Sequence, residues 1–397
     1  MATRVLIAGV STRAAAESAA RAGFAVTAID AFGDLDQHPS VRSLVLPHEP
    51  GAPFTAHAAA EAVHDVDADA AVYLSPYENH IRAVDALASP PSTSLRAGRV
   101  LWGNPPDVLR RVRDPFLLSG LLRRRGFVTP MTRVDVPRES AGMKDWLVKP
   151  FRSGGGYLVR PWEPGTLVPP GFYAQERISG VPASIVFVAA GGRAVPLGIS
   201  RQLIGEAAFG ASGYRYCGNV LAPADDDVLT DTVVDSAIAL ASCVTEHFGL
   251  VGLNGIDYIV RDELPYAIEV NPRWTSSMEL VERHYGVSMF GVHAAACQDG
   301  VLPSFDLRAR RGHSVSGKAI VFAPEDITAG DTRSWLGDEM VRDVPQPGER
   351  MTTGQPICTV FANAAGVAPC VEQLEARAGS ILNHFQGSDQ RGSRSAS

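Results

Sequence analysis

Two carboxylates and an amide near residue 260 form the pattern in this sequence that points most clearly to chemistry. Asp257 ends the run NGID, and Glu269 and Asn271 belong to the later run EVNPR. If both runs are neighbouring antiparallel strands, Asp257 can lie beside Glu269, and Glu269 and Asn271 share one face of the sheet. Oxygen ligands of this kind suit Mg²⁺, with phosphate oxygens completing its octahedron. Since apolar residues flank Glu269, we predict a metal set of Asp257, Glu269 and Asn271 rather than merely acidic strand ends.

A lysine followed by a glycine cluster is the second signal. Lys149 ends a predicted strand, and Gly154, Gly155 and Gly156 come shortly after it. Consecutive glycines let the backbone approach a ligand closely and offer N–H groups to phosphate oxygens. The Walker A pattern is absent, and such a cluster alone is more often a flexible turn. Its place upstream of the acidic set favours a phosphate site that includes Lys149.

The run QERISG over residues 175–180 is the third signal. An extended linker of this kind can present backbone N–H and C=O groups to the edge of a flat heterocycle. An ordinary edge strand is the alternative, and the sequence leaves both open. Arg201 follows a predicted strand. The sequence leaves open whether its side chain lies near the phosphates or away from them.

Other residues give weaker signals, which we interpret as structural. Gly9 and Asp30 have the spacing of a dinucleotide site, but the pattern G-x-G-x-x-G is absent, so Asp30 is expected either to cap a strand end or to shape a substrate loop. The ten histidines include no H-E-x-x-H. Cys217 has no adjacent base in sequence and is not predicted to be a nucleophile. The five cysteines contain no C-x-x-C, which argues against a disulfide framework or a cysteine zinc site.

These residues need a scaffold in which strands and helices first alternate and then give way to a more β-rich pattern. Alternating strands and helices predict a parallel α/β sheet near the N-terminus. The strands expected there cover residues 5–8, 25–29 and 70–74, with helices at 14–22 and 81–88. Further along we expect a helical region at 106–125, a hairpin of 146–148 with 158–159, strands at 172–175, 183–189, 194–199, 255–260 and 266–270, and a helix at 231–248.

The predicted fold is therefore a multidomain combination of α/β and α+β parts. A Rossmann-like domain is expected over residues 1–105. An α+β core follows over 106–300. A small β-rich segment with a final helix covers 301–385, and the polar tail 386–397 is predicted to be disordered.

The composition is that of an ordinary globular protein. The 397 residues are 45% apolar and 20% charged, which excludes global disorder. A net charge of −7 gives no electrostatic footprint for nucleic acid. Because no apolar run approaches a membrane span and no signal peptide is evident, we expect a cytoplasmic protein without membrane contact.

In combination, these motifs resemble the ATP-grasp superfamily. The lysine with its glycine loop, the linker at 175–180, Asp257 and the run EVNPR occur in that family's order, and the spacing of twelve from Asp257 to Glu269 also fits. The resemblance covers roughly residues 1–300, including a pre-ATP-grasp domain at the front. It implies that the core over 106–300 has two lobes, at 106–175 and 176–300.

The resemblance implies a role for each candidate residue. Lys149 would contact the phosphates of ATP, and the loop of Gly154, Gly155 and Gly156 would close over them. Glu176 and Ile178 would contact adenine and its surroundings. Asp257, Glu269 and Asn271 would hold Mg²⁺, with Mn²⁺ as an alternative ion, and Arg273 would face the transferred phosphate.

The sequence departs from the family's pattern at two places. Many relatives carry an ATP-binding lysine early in the helical subdomain, whereas this chain has Arg113-Asp114-Pro115 there; Arg113 is the available substitute. An acidic residue that contacts ribose is also missing, since Ala183 and Ser184 stand in that region.

A narrower likeness concerns the reaction. Residues 9–16, 28–36, 343–348 and 354–360 are similar to a carboligase-related ATP-grasp group that resembles the tyramine–glutamate ligase of methanofuran synthesis. This likeness implies ATP-dependent joining of a carboxylate, for example of glutamate, to an amine through an acyl phosphate, in the synthesis of a one-carbon cofactor. The expected partners are these small molecules, and a homodimer is left open. The alternatives are a carboxylase, a phosphoryl transferase or a regulatory nucleotide-binding module.

Overall fold

A parallel α/β domain forms the first part of the chain. The computed structural model describes residues 2–46, 54–89, 98–136 and 145–392, with side chains up to residue 385. The described sheet of this domain has the order β3-β2-β1-β4-β5, and β1 pairs in parallel with β2 and β4. Its elements are β1 (Arg4–Ala8), α1 (Arg13–Arg21), β2 (Ala25–Asp30), β3 (Arg42–Val45), α2 (Ala56–Ala62), β4 (Ala70–Tyr73), α3 (Ile81–Ala88) and β5 (Val100–Leu101).

The predicted βαβ unit is confirmed, and its residues show why it forms. The apolar run of β1 is buried on both faces, as the central strand of a parallel sheet requires. Asp30 at the end of β2 accepts hydrogen bonds from the hydroxyl and N–H of Thr12 and from the N–H of Gly33. It therefore fixes the turns around the strand end, as expected.

The first lobe of the middle region begins with two helices in place of the single helical region expected over 106–125. These are α4 (Pro106–Val112) and α5 (Pro115–Arg124). Asp114 accepts the N–H groups of Phe116 and Leu117 as N-cap of α5, and Pro115 takes the first helical position. The break places Arg113 at the C-terminal end of α4.

A small antiparallel sheet completes this lobe, in the order β6-β9-β7-β8. It contains β6 (Thr132–Arg133), β7 (Trp146–Pro150), β8 (Arg160–Pro161) and β9 (Phe172–Glu176). The glycine cluster connects β7 to β8, as predicted, but β8 begins later than the strand expected at 158–159. Leu158 has a φ of 60°, which extended backbone does not allow, because the turns that start at the glycines continue through it.

An antiparallel sheet of eight described strands forms the centre of the molecule, in the order β14-β13-β10-β11-β12-β15-β19-β17. The second lobe supplies β10 (Val181–Ala190), β11 (Arg193–Ile204), β12 (Tyr216–Leu221), β13 (Gly252–Arg261) and β14 (Leu264–Asn271). It also supplies helices α6 (Asp231–Phe248), α7 (Ser276–Tyr285) and α8 (Met289–Asp299).

The C-terminal segment extends this same sheet. β15 (Val315–Phe322) pairs with β12, and β19 (Pro356–Ala364) lies between β15 and β17 (Val341–Arg342). The segment also contains α9 (Leu307–Arg310), the pair β16 (Ile327–Thr328) and β18 (Arg350–Met351), and α10 (Val367–Gly392). α10 extends to Gly392, beyond the start of the tail expected over 386–397, and residues 393–397 lie outside the described residues.

A tight turn sets the register of the hairpin that carries the acidic residues. Arg261 pairs with Leu264 across the turn, and both residues between them, Asp262 and Glu263, have positive φ. A two-residue turn of this hand matches the twist of the strands. The register then places Asp257 directly opposite Glu269, with an irregularity just beyond Asp257.

Candidate active site

The acidic set predicted from the sequence is brought together on β13 and β14. The Nδ2 atom of Asn271 donates to Oδ2 of Asp257 at 2.8 Å, and Glu269 lies opposite Asp257 in the ladder. Gln202 on β11 donates from Nε2 to the other carboxylate oxygen of Asp257 at 2.9 Å. Three side chains of the predicted set, joined by Gln202, thus form one polar cluster.

The two carboxylates have opposite electrostatic environments. Burial, followed by the charge of Glu269, raises the pKa of Asp257 to about 7, although hydrogen bonds from Asn271 and Gln202 favour its charged form. Burial acts in the same sense on Glu269, but the cations of Arg113 and Lys149 outweigh it and hold the pKa of Glu269 below its ordinary value. A cation placed between the two carboxylates would stabilise both in their charged form.

The donor set fits a hard divalent cation. Two carboxylates and the amide oxygen of Asn271 are the oxygen ligands that Mg²⁺ prefers. Among the described residues, no group of three or more His, Cys, Asp or Glu side chains could hold a metal ion by itself. Any ion at this set would therefore need further oxygens from a ligand or from water.

Arg113 joins the acidic set to the glycine loop. Its Nη1 donates to Oε2 of Glu269 at 3.1 Å and to the carbonyl of Val270 at 3.0 Å. Its Nη2 donates to the carbonyl of Ser153 at 2.9 Å and to Oδ1 of Asn79 at 3.3 Å. Arg113 is thus a cation of the site, at the position where the sequence suggested a substitute for lysine.

The glycine loop lies against the connection between β11 and β12. The N–H of Tyr216 donates to the carbonyl of Gly155 at 3.1 Å. Gly156 has a φ of 78°, and a Cβ atom there would collide with the backbone carbonyl of Tyr214. Gly155 has a φ of 61° but faces open space. The close backbone approach therefore depends on Gly156, whereas Gly155 is needed for the conformation of the turn alone.

The hinge, which is the linker predicted over residues 175–180, begins at the end of β9. Nζ of Lys149 donates to Oε1 of Gln175 at 3.0 Å. The carboxylate of Glu176 accepts the N–H of Met131 at 3.0 Å, and Ile178 is 8% exposed. The carboxylate of Glu176 thus ties the hinge to the first lobe, and Ile178 contributes an apolar wall.

Arg273 is held by the first domain. Its Nε donates to Oε1 of Glu78 at 2.8 Å, and its Nη2 donates to Oδ1 of Asn271 at 3.2 Å. Glu78 lies in a short 3₁₀ turn, Tyr77–Asn79, and is almost completely buried. The ion pair therefore connects the first domain, through Glu78 and Arg273, to Asn271 of the acidic set.

Two adjoining cavities are lined by all ten residues to which the family resemblance gives a role: Lys149, Gly154, Gly155, Gly156, Glu176, Ile178, Asp257, Glu269, Asn271 and Arg273. The larger, of about 650 Å³, runs from the hinge past the acidic set into a chamber between the first domain, α7 and the C-terminal strands. The smaller lies beneath the glycine loop and shares Lys149, Gly156 and Glu269 with it. The chamber is lined by Ser11, Trp274, Lys318 and Asp343, among others.

Some residues differ in role from what the sequence suggested or were missed by it. Arg201 pairs with Asp226 and does not line either cavity. Burial raises the pKa of the Cys217 thiol to about 11, which agrees with its exclusion as a nucleophile. Gln202 and Glu78 were missed, because an amide and an acid outside any motif give no sequence signal.

Comparison with known proteins identifies the central domain. Residues 112–277 match the model of the ATP-grasp domain. The chain therefore contains an ATP-grasp domain, and the resemblance drawn from its sequence is confirmed at this level. An uncharacterized protein from Methanocaldococcus jannaschii is 29% identical over 119 residues, which span 30% of this chain and 28% of that relative.

The fold of the whole chain is that of ATP-grasp enzymes. Pyruvate carboxylase from Rhizobium etli superposes with a TM-score of 0.71 at 14% identity, over 94% of this chain and 37% of the carboxylase chain. L-amino acid ligase from Bacillus licheniformis superposes with a TM-score of 0.64 at 15% identity, over 94% of this chain and 96% of the ligase. The predicted fold class is thereby confirmed. In the described part of the chain, no helix combines the length and apolar character needed to cross a bilayer.

Proposed function

We propose that the chain is an ATP- and Mg²⁺-dependent ligase that joins a carboxylate to an amine through an acyl phosphate. One observation carries the proposal. The acidic set, the cations of Arg113, Lys149 and Arg273, and the glycine loop converge at one point of a cavity that continues into a separate chamber. Such an arrangement provides both a nucleotide site and space for further small substrates.

In this proposal the nucleotide lies between the hinge and the glycine loop. Adenine packs near Glu176 and Ile178, and the phosphates lie between Lys149 and the loop formed by Gly154, Gly155 and Gly156. The loop N–H groups and Lys149 supply donors and positive charge. Arg113, held between Glu269 and Ser153, takes the place of the lysine found in many relatives.

Asp257, Glu269 and Asn271 are proposed to hold Mg²⁺. When bound, the ion offsets negative charge on the transferring phosphoryl group. Arg273 faces the same group and adds a fixed positive charge without reorganisation during the reaction. The contact between Gly156 and the backbone of Tyr214 closes the loop over this point, which excludes water from the reactive intermediate.

The reaction has two chemical steps. A carboxylate oxygen attacks the γ-phosphorus, and the bond to ADP breaks. The amine then attacks the acyl carbon, the C–O bond to phosphate breaks, and a proton leaves the nitrogen. A glutamate-like carboxylate and a place in one-carbon cofactor synthesis are the finer form of this proposal, supported by the sequence likeness to the carboligase-related group.

Transfer of an isotope from substrate to phosphate tests the proposal. The full chain is incubated with Mg-ATP, an amine and a carboxylate labelled with ¹⁸O, and both products are examined by mass spectrometry. The expected result is one ¹⁸O atom in inorganic phosphate together with an amide. Carboxylated product formed from bicarbonate would identify a carboxylase instead. Nucleotide binding without ADP formation, over a broad set of amino acids and amines, would favour the regulatory module.

A further inference from the structure

The ion pair between Glu78 and Arg273 joins two parts of the chain that are 195 residues apart. Glu78 belongs to the connection between β4 and α3 of the first domain, whereas Arg273 follows β14. The side chain of Glu78 is fully buried and that of Arg273 is 10% exposed. A buried ion pair is costly unless hydrogen bonds also satisfy the remaining polar atoms of both side chains. The second carboxylate oxygen of Glu78, Oε2, therefore needs a donor of its own.

The backbone beside Arg273 is also fixed by the first domain. The hydroxyl of Tyr73 and Nδ2 of Asn104 both donate to the carbonyl of Pro272, at 3.2 Å and 3.1 Å. Nη1 of Arg273 donates to the carbonyl of Trp274 at 2.9 Å. Since the carbonyl of Pro272 is held by the first domain, the direction of the guanidinium depends on its bonds to Glu78, Asn271 and the carbonyl of Trp274.

One carboxylate oxygen of Glu78 accepts no hydrogen bond from the described residues. Its Oε2 atom is buried and has no hydrogen-bond partner among the described residues. A buried carboxylate oxygen without a donor is unfavourable, and such atoms are uncommon in folded proteins. Nε and Nη2 of an arginine can bind both oxygens of one carboxylate in parallel. In this structure Nε is bound to Oε1 of Glu78, whereas the bond that Nη2 makes is to Oδ1 of Asn271.

We infer that Glu78 is a positioning residue for Arg273. Nη2 of Arg273 moves from Oδ1 of Asn271 to Oε2 of Glu78 when the amide oxygen is needed as a metal ligand. The movement satisfies the free acceptor and frees the oxygen at the same time, while Nε remains bound and keeps the guanidinium beside the acidic set. The inference rests on the proposed function, since it assumes that Asp257, Glu269 and Asn271 bind Mg²⁺.

The variant Glu78→Gln tests this exchange. Its amide oxygen still accepts Nε–H, but its NH₂ group cannot accept a bond from Nη2, so Arg273 stays on Asn271. We expect the Mg²⁺ concentration for half-maximal binding of the ATP analogue AMP-PNP, measured by calorimetry, to rise about tenfold, as for other outer partners of metal ligands. Binding of AMP-PNP in EDTA should not change. Tyr77→Phe is the matched control, because it removes a buried hydroxyl without a described partner from the same turn and should bind like the wild type.

A double variant separates positioning from simple charge. If Glu78 acts through Arg273, then Glu78→Gln should change the Mg²⁺ requirement less than twofold in an Arg273→Ala background. An equal rise in both backgrounds would show that Glu78 acts only by its charge and would overturn the inference. Wild-type Mg²⁺ dependence in a folded Glu78→Gln variant would also overturn it. Failure of the wild type itself to bind Mg-AMP-PNP would instead refute the proposed function.

A measurement on the wild type keeps the inference testable even if Glu78→Gln does not fold. In protein labelled with ¹⁵N-arginine, the Nε–H signal of Arg273 is assigned by its absence in Arg273→Lys. We expect this proton to stay protected from exchange when Mg-AMP-PNP is added, because Glu78 retains it in both states. Loss of protection on addition of the complex would show that Arg273 leaves Glu78, contrary to the inference.

Discussion

Asp257 and Glu269 are neighbouring carboxylates that the protein treats differently. Arg113 and Lys149 stabilise the charge on Glu269, whereas burial and the charge of Glu269 disfavour the charged form of Asp257. Of the two carboxylates, Glu269 therefore more strongly favours its charged form. Its contact with Arg113 also connects it to the carbonyl of Ser153 in the loop between β7 and β8. Loss of its charge should affect both the metal set and the loop.

We predict that Glu269→Gln lowers ADP formation at least about 100-fold, because removal of a direct metal ligand should exceed the 10- to 100-fold effect of outer partners. The fold should be retained, since glutamine keeps an oxygen that can accept from Arg113. Asn271→Ala should cost less, because water can replace one neutral oxygen ligand. The measurements are ADP release and the melting temperature.

The control is Asp262→Asn in the turn of the same hairpin, where the side chain is 85% exposed and asparagine tolerates the positive φ. This variant should keep wild-type turnover. Near wild-type ADP release by folded Glu269→Gln would contradict the metal assignment.

Residues joined by local spacing could be predicted from the sequence, and residues joined only by the fold could not. Asp257 and Glu269 belong to one hairpin, so the expectation of two neighbouring antiparallel strands was sufficient to place them side by side. Arg113 reaches Glu269 across 156 residues and Gln202 reaches Asp257 across 55. Such contacts depend on how separate strands and domains pack, which no local pattern records.

The loop between β7 and β8 is an element in which three adjacent glycines have different structural roles. Gly154 has ordinary space for a Cβ atom, with the nearest contact at 3.6 Å to Oγ of Ser75. Gly155 has positive φ in open space, and Gly156 has positive φ and a backbone carbonyl where its Cβ would lie. The sequence showed the cluster but could not distinguish its members.

We predict that Gly156→Ala weakens binding of Mg-AMP-PNP about tenfold more than Gly155→Ala does. Both variants bear the cost of positive φ, about 1–2 kcal/mol per residue, but only the methyl group at 156 collides with the carbonyl of Tyr214. Calorimetry measures the affinity, and hydrogen exchange of residues 152–157 with and without nucleotide measures closure. Equal affinities in the two variants would show that the loop does not need to approach Tyr214 to bind nucleotide.

The contact of α8 with β13 contains a buried histidine. Nδ1 of His293 accepts the N–H of Leu253 at 3.0 Å, and Nε2 lies 3.3 Å from the carbonyl of Trp102, so the ring fits as a neutral tautomer with its proton on Nε2. Burial lowers the pKa of His293 to about 4. Protonation of Nδ1 would break the bond from Leu253.

We predict that His293 makes the protein sensitive to acid between pH 6.5 and 4. The unfolded chain binds a proton near pH 6.5 and the folded chain only near pH 4, so the stabilisation is complete above pH 6.5 and is lost as the pH falls towards 4. The loss is about 3 kcal/mol from the difference in pKa. Melting temperatures measured from pH 7 to 4 should fall more steeply in the wild type than in His293→Asn, which keeps an acceptor for Leu253. His313→Asn, on the exposed surface, is the control and should follow the wild type.

At the scale of the whole molecule, one buried arginine joins the three parts of the chain. Arg13 at the start of α1 has a fully buried side chain; its Nε donates to Asp343 at 2.7 Å and its Nη2 to Glu279 at 2.6 Å. Nζ of Lys318 donates to the other oxygen of Glu279 at 2.7 Å. Asp343, Glu279 and Lys318 also line the chamber beyond the acidic set. The network therefore fixes the walls of the chamber as well as the relation of the domains.

We predict that Arg13→Met lowers stability by about 3–5 kcal/mol, because it removes the buried cation that binds both Asp343 and Glu279 and leaves Glu279 with Lys318 alone. The same change should divide the single calorimetric unfolding transition expected for the wild type, with the first domain unfolding before the central sheet. Differential scanning calorimetry of the full chain measures both effects. Arg4→Met is the matched control in the same domain, because Arg4 pairs with Asp67 and Asp69 at the exposed surface, and the melting curve should hardly change. A wild-type melting temperature and a single transition in Arg13→Met would show that apolar packing alone holds the domains together.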